Sequence, residues 1–484
     1  MRAVDMSQIS KDRSSRVRIA AQPRRLAACI AWAISCALAS AGANTPATAR
    51  DLARDALQPS AILVDNCADA GAGSLREAMA TAADGQLVDA SGLTCGVITL
   101  TTGQIEISAA SVTLLGPGRD VLTLQNGNGA KYTNRIFAHS GAGQLALQGM
   151  TLAGGTMSGS ASSLQAYGGC VYSAGSVVLG NPLQTGVRSL GVNVVGCRAV
   201  ASAADEGGRA AGGGVFARQL TLINSTVSGC EATSHTPSVT QAGPDGGGGV
   251  FAKSALTMYA SELADNDVSG SHYGGGGGVV DGPALIINSL IAGNHDVDVV
   301  GGLYANGPNT IRNSTFSGNV GGAVGGVLTS QFDHTVVSNS TFTDNHAAAT
   351  GVVGGAALLG ETIELESTII AGNSAGDGPA DVWGVNGIAG ANDLVGVAVA
   401  DTPSLPPGTL IGLDPLLGPL TNNGGPTRTH ALLAASPAID TGNNVAGEET
   451  DQRGVGFPRL IGAGADIGAV ESSDAIFSDG FEFD

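Results

Sequence analysis

Thr315-Phe316-Ser317-Gly318-Asn319 and Thr341-Phe342-Thr343-Asp344-Asn345 share one pattern: an apolar residue flanked by small hydroxyls, a tight position, then asparagine. The pattern recurs outward in both directions. Upstream stand Leu290-Ile291-Ala292-Gly293-Asn294, Glu262-Leu263-Ala264-Asp265-Asn266 and Thr226-Val227-Ser228-Gly229-Cys230, and a further copy ends at Gly196-Cys197. Downstream stands Ile369-Ile370-Ala371-Gly372-Asn373. The closing positions Cys197, Cys230, Asn266, Asn294, Asn319, Asn345 and Asn373 are 33, 36, 28, 25, 26 and 28 residues apart. Three before each is an apolar residue, and five before six of the seven is a hydroxyl, from Ser225 to Thr368.

A second column accompanies the first: paired glycines entering a short apolar strand, as in Gly168-Gly169-Cys170-Val171, Gly212-Gly213-Gly214-Val215, Gly247-Gly248-Gly249-Val250, Gly276-Gly277-Gly278-Val279 and Gly301-Gly302-Leu303. Each repeat therefore carries two or three strands of four to six residues, and no segment shows a sustained helical period. Short strands at this period predict an all-β parallel β-helix, one repeat per coil. Equivalent strands would stack about 4.8 Å apart, turning columns of sequence into ladders of side chains. Eleven or so coils between residues 105 and 395 would extend about 50 Å. On this reading the glycines serve sharp corners. The terminal asparagines accept a left-handed corner and bond to their copies in the next coil.

Composition agrees. Glycine accounts for 75 of 484 residues, while only 4% are aromatic and 13% charged. The net charge of −19 excludes nucleic acid and anionic membrane surfaces as natural partners. Arg24-Arg25, the apolar run Leu26 to Leu38 and small residues through Ala43 have the order of a secretory signal peptide over 1–43. Removing its seven Lys/Arg and two Asp leaves 15 basic and 39 acidic residues, a net charge of −24. No later run is long enough to span a bilayer, so the mature chain is expected without a transmembrane segment. A linker over 44–59 and an N-terminal cap over 60–104 follow. In the cap, Ser74 and Glu77 have capping-box spacing, and Leu75, Ala78 and Met79 supply an apolar face. Export makes a Cys67–Cys95 disulfide the first choice. Cys170 reads as a buried free thiol, and Cys197 and Cys230 as stacked neighbours with a disulfide between them open.

The Gly-Gly-x-Val and Phe-x-x-Asn alternation resembles the repeats of polymorphic outer membrane proteins, surface β-helices of which some are implicated in adhesion. Ser74-Leu75-Arg76-Glu77-Ala78 resembles the C-S-L-R-E-A segment of secreted bacterial β-helix proteins, with Gly73 where that motif has cysteine. Over 396–471, an ordered set resembles the choice-of-anchor Q domain of bacterial surface proteins. It comprises Asp414-Pro415-Leu416, Asn423-Gly424-Gly425-Pro426-Thr427-Arg428-Thr429-His430, Ser436-Pro437-Ala438-Ile439-Asp440, Asp451-Gln452-Arg453-Gly454 and Asp466-Ile467-Gly468. This region would cap the last coil, followed by a tail over 472–484. Together these resemblances imply a right-handed, pectin-lyase-like parallel β-helix and export to the medium or outer surface of a Gram-negative bacterium.

Parallel β-helices often bind or cut polysaccharides, yet the sequence has no Asn-Thr-Asp, Gly-His-Gly or Arg-x-Lys. The best polar cluster is His295-Asp296-Val297-Asp298, where alternation would place Asp296 and Asp298 on one face, with His346 at the same offset two coils on. These four are the candidate catalytic residues, and Asp296 and Asp298 the candidate metal ligands, with calcium the ion they would suit. No other cofactor is indicated. Asp333-His334, Asp377 and Asp381 are weaker candidates in loops and turns. The Asn-x-Ser/Thr sites at Asn224, Asn313 and Asn339 fall in repeat columns and read as stacking. Scattered Tyr and Trp form no sugar platform. The reading is a noncatalytic structural, adhesive or glycan-binding module whose partner is a polysaccharide or cell-surface glycan. The alternative is a polysaccharide lyase or glycoside hydrolase working in a lateral groove.

Overall fold

The computed structural model describes residues 60–127, 134–159, 165–181, 190–201, 207–235, 245–271, 274–329, 334–348, 357–376, 378–384, 387–397 and 405–472. The signal-like segment 1–43, the linker 44–59, all of the tail after Ser472, Asp333 and Asp377 lie outside them.

The chain is a parallel β-helix. Its strands lie on three faces: face A with 20 short strands, two per coil along most of its length, face B with 12, and face C with 9. Pairing is parallel from coil to coil, beginning with Ile62–Leu63 against Gln86–Asp89, until face C closes with Ser374–Ala375 antiparallel to Gly378–Pro379. One helix, Leu75–Thr81, stands among the described residues. Ser74 accepts from the Glu77 N–H at 3.3 Å, while Glu77 reaches back one residue beyond the N-cap to accept from the Gly73 N–H at 2.8 Å, a variant of the capping box. Leu75, Ala78 and Met79 of this helix are buried in the main core. A disulfide joins Cys67 to Cys95. Nearby, burial opposes the charge of Asp69. Arg76 at 2.6 Å and the Thr101 and Thr102 groups outweigh it and hold its pKa well below the usual range.

Register turns the sequence columns into rungs. On face B, Val227, Leu263, Ile291, Phe316, Phe342 and Ile370 succeed one another inward, and the Phe316 and Phe342 rings stack at 4.6 Å. The asparagine column is buried beside them. Asn294 Nδ2 donates to Asn319 Oδ1 at 2.9 Å, and Asn319 Oδ1 also accepts from the Asn294 N–H at 3.1 Å. The same pair of bonds links Asn266 to Asn294, Asn319 to Asn345 and Asn345 to Asn373. Asp381 closes the ladder by accepting from the Asn373 N–H and Nδ2 at 3.0 and 2.8 Å. A serine ladder runs parallel at the turn from face A to face B. Each of Ser225, Ser261, Ser289 and Ser314 gives its N–H to the hydroxyl of the next coil. Asp393 ends that column by accepting from the Thr368 N–H.

The backbone departs from the expected corners. The left-handed residue is the one before the asparagine column: Gly196, Gly229, Asp265, Gly293, Gly318, Asp344 and Gly372 have φ between 55° and 78°. The asparagine itself stays out of that region because its side chain must point inward to meet its neighbours. A second left-handed column, Asn224, Ala260, Asn288, Asn313, Asn339 and Ser367, precedes the serine ladder. The paired glycines are left-handed corners at Gly168, Gly212 and Gly247, with φ of 67°, 62° and 74°, and elsewhere in the column they answer a close approach. A Cβ on Gly276 would lie 2.6 Å from the backbone N and O of His295, so here face C presses against the opposite wall of the coil.

That thin waist also explains a correction at the cysteines. Cys170 is bonded to Cys197, and Cys230 is the free cysteine among the described residues. The glycine column and the asparagine column face each other across the coil, a distance that sequence spacing does not reveal. The C-terminal region takes a lateral course. Residues 426–469 lie along the outer side of face B, where Arg428 N–H meets Glu262 at 2.9 Å, Thr315 meets Gln452 at 2.6 Å, Ser317 meets His430 at 2.9 Å, and Ala469 N–H meets Thr341 at 3.0 Å. Asn313 and Asn339 are buried beneath it.

Replacing Asn319 by alanine would strip the acceptor from both the N–H and Nδ2 of the buried Asn294. The expected loss is about 3 kcal/mol of unfolding free energy, measured by denaturant titration. A loss below about 0.5 kcal/mol, the level of an ordinary surface change, would contradict the ladder.

Candidate functional site

The outer side of face C is built by register alone. Arg198, Glu231, Asp267, His295, Val320, His346 and Ser374 succeed one another, one per coil. His346 thus lies two coils beyond His295, with Val320 between them, at about 10 Å by strand spacing. The polar members pair with their neighbours along the column. Arg198 meets Glu231 at 2.8 Å, His295 Nδ1 meets Asp267 Oδ1 at 2.7 Å, and His346 Nδ1 meets Ser374 Oγ at 2.9 Å. Asp267 and His295 are each nearly half exposed, so theirs is a solvated pair.

Asp296 and Asp298 part company. Asp296 is buried while Asp298 is exposed. The strand is only His295–Asp296, and the chain turns immediately after it, which ends the alternation expected to put both on one face. Asp296 Oδ1 caps that turn, accepting from the N–H groups of Asp298 and Val299 at 2.9 and 3.2 Å. Its Oδ2 packs against Gly274 and finds no hydrogen-bond partner. Burial pushes its pKa up to about 7, against the N–H bonds that favour the charged form, and the Asp298 charge adds to the rise. The two carboxylates therefore do not converge on a cation. Among the described residues, no group of three or more His, Cys, Asp or Glu is placed to hold a metal ion.

The weaker candidates are equally engaged. His334 lies 3.6 Å from Glu364 across neighbouring strands. Asp381 lines a cleft of about 670 Å³ between the coils and the C-terminal region, together with Asp344, Asn373, Asp414 and His430. Both its oxygens are taken: Oδ1 ends the asparagine ladder and Oδ2 accepts from the Val397 N–H at 2.7 Å. His430 is bound through Nε2 to Ser317 and through Nδ1 to the Gly418 carbonyl.

Sequence reading missed an aromatic column on the outer side of face A. Tyr172, Phe216 and Phe251 occupy successive coils, with ring centroids 5.6 and 5.3 Å apart, and Val279 and Tyr304 continue the register. The signal was present, since each stands two residues after a member of the glycine column. Tyr167 lies over Phe216 at 4.8 Å, and Phe216 and Phe251 are buried, so the column is an outer core.

Fold and surface define a parallel β-helix protein. No protein-family model matches the chain. No curated protein matches it either. Among solved structures, the crystal structure of pectate lyase Pel9A is similar at 15% identity and a TM-score of 0.45, covering 85% of this chain and 97% of that one. No helix among the described residues is long and apolar enough to cross a membrane.

The buried Asp296 sets a pH dependence. Its folded pKa lies above the unfolded value near 3.9, so the folded state holds the extra proton and stability falls as pH rises from about 4 to about 7. Asp296→Asn should remove a share of that decline on the order of 3 kcal/mol between pH 5 and pH 8, seen by comparing urea unfolding at the two values. An unchanged decline in the variant would show that Asp296 titrates normally.

Proposed function

We infer that this chain is an exported, noncatalytic β-helix serving as a structural, adhesive or glycan-binding module outside the cell. One observation carries the reading: the side chains suited to chemistry are paired along ladders and do not converge. Asp267 and His295 bind each other, His346 binds Ser374, Asp296 caps a turn, and Asp381 ends the asparagine ladder. A hydrolase or lyase needs carboxylates or a base converging on one bond. Two disulfides suit an oxidising compartment, in keeping with the signal-like segment. The resemblances to secreted and surface β-helices point to the outer surface or surroundings of a Gram-negative bacterium.

The surface best suited to a glycan is the outer column of face C. It offers charged and hydrogen-bonding groups at the coil repeat, from Arg198 to Ser374, to an extended polyhydroxylated chain.

The test is incubation of the purified full chain, with and without calcium, against plant and bacterial polysaccharides. Retention, new reducing ends and the ultraviolet absorbance of unsaturated uronates are followed together. Retention without turnover is expected, weakened in a protein carrying Asp267→Ala and His295→Ala. Turnover abolished by His295→Ala would establish the lyase or hydrolase instead.

A further inference from the structure

We propose that Cys170, Cys197 and Cys230 form a disulfide relay, with Cys197 able to bond either across the coil to Cys170 or along the helix axis to Cys230.

The geometry rests on register on both sides of the column. Val195 is level with Ser228 and Arg198 with Glu231, so Cys197 and Cys230 are stacked between them. Two backbone bonds tie the same stretch: Gly196 N–H to Ser228 O at 3.0 Å, and Glu231 N–H to Cys197 O at 2.9 Å. Stacked residues lie about 4.8 Å apart, inside the Cα range of disulfides. Farther along the same column, side chains of successive coils touch, as the 2.9 Å bond from Asn266 to Asn294 shows. Cys230 Sγ points the same way, 3.9 Å from the Val194 carbonyl of the coil that carries Cys197.

The two coils differ across their width. In the first, both facing positions are cysteine, and Cys170 bonds to Cys197. In the next, register puts Gly214 opposite, level with Cys170, leaving Cys230 without a partner across the coil. Its one sulfur neighbour by position is therefore the bridge above it.

The exchange balances without an external oxidant. The Cys230 thiolate attacks Cys197 Sγ, the new Cys197–Cys230 bond forms as the Cys170–Cys197 bond breaks, and Cys170 leaves as a thiolate that takes up a proton. Burial raises the Cys230 pKa to about 12, so the thiolate is scarce in the closed coil. The relay operates when these coils loosen, as in oxidative folding after export. One isomer ties a coil across its own width, and the other ties two coils together while freeing Cys170.

The experiment is oxidative refolding of the full chain in a glutathione buffer, followed by peptide mapping of disulfides. In Cys170→Ser, the unpaired thiols among positions 197 and 230 should fall from two to none as a Cys197–Cys230 linkage appears, with the β circular-dichroism signal retained. A folded variant with both thiols free would overturn the relay. Should that variant not fold, wild type held in mild denaturant with the same buffer decides. Both linkages of Cys197 are expected there, and Cys170–Cys197 as the one linkage of Cys197 would overturn the proposal.

Discussion

The structure depends on one constraint: parallel strands in register, about 4.8 Å apart, bring like residues face to face. A polar column is then buried at low cost where each copy completes the hydrogen bonds of the next. Asparagine meets this condition at both ends, giving Nδ2 to the coil on one side and offering Oδ1 to the other. The ladder from Asn266 to Asn373 satisfies backbone N–H groups at the same turns where the strands stop pairing. Serine does the same at the neighbouring turn. A ladder of donors must end on an acceptor, and both end on aspartate, Asp381 and Asp393.

This constraint also shapes the chemistry of the surface. Outward residues on one column meet their neighbours before they meet a ligand, so Asp267 and His295 bond to each other. The resulting surface repeats in position along the axis, at one residue per coil. Face B, in contrast, is overlaid by the C-terminal region through polar contacts such as Gln452 to Thr315 and His430 to Ser317, with a small apolar cluster around Ile369, Leu394 and Ile467.

What repeats was legible in the sequence, because a column states its own register. The inward residues Val227 to Ile370, the asparagine ladder, and the two-coil offset of His295 and His346 all follow from spacing. Distances across a coil are not encoded by spacing, and so the Cys170–Cys197 bridge was missed. Alternation misled at Asp296 and Asp298 because a two-residue strand cannot sustain it. The path of residues 426–469 had no periodicity to read, since the region is made of turns and single bridges within itself and meets the coils through scattered hydrogen bonds.

The most direct measurement is native-state hydrogen exchange at the amides of Cys230, Asn266, Asn294, Asn319, Asn345 and Asn373, each bonded to a side-chain oxygen of the ladder. If stacked side chains hold the coils, these turn amides exchange as slowly as the core strand amides of Ile291 and Phe316. Exchange at the rate of exposed turns, with the strands still protected, would show that the ladder does not bear the structure.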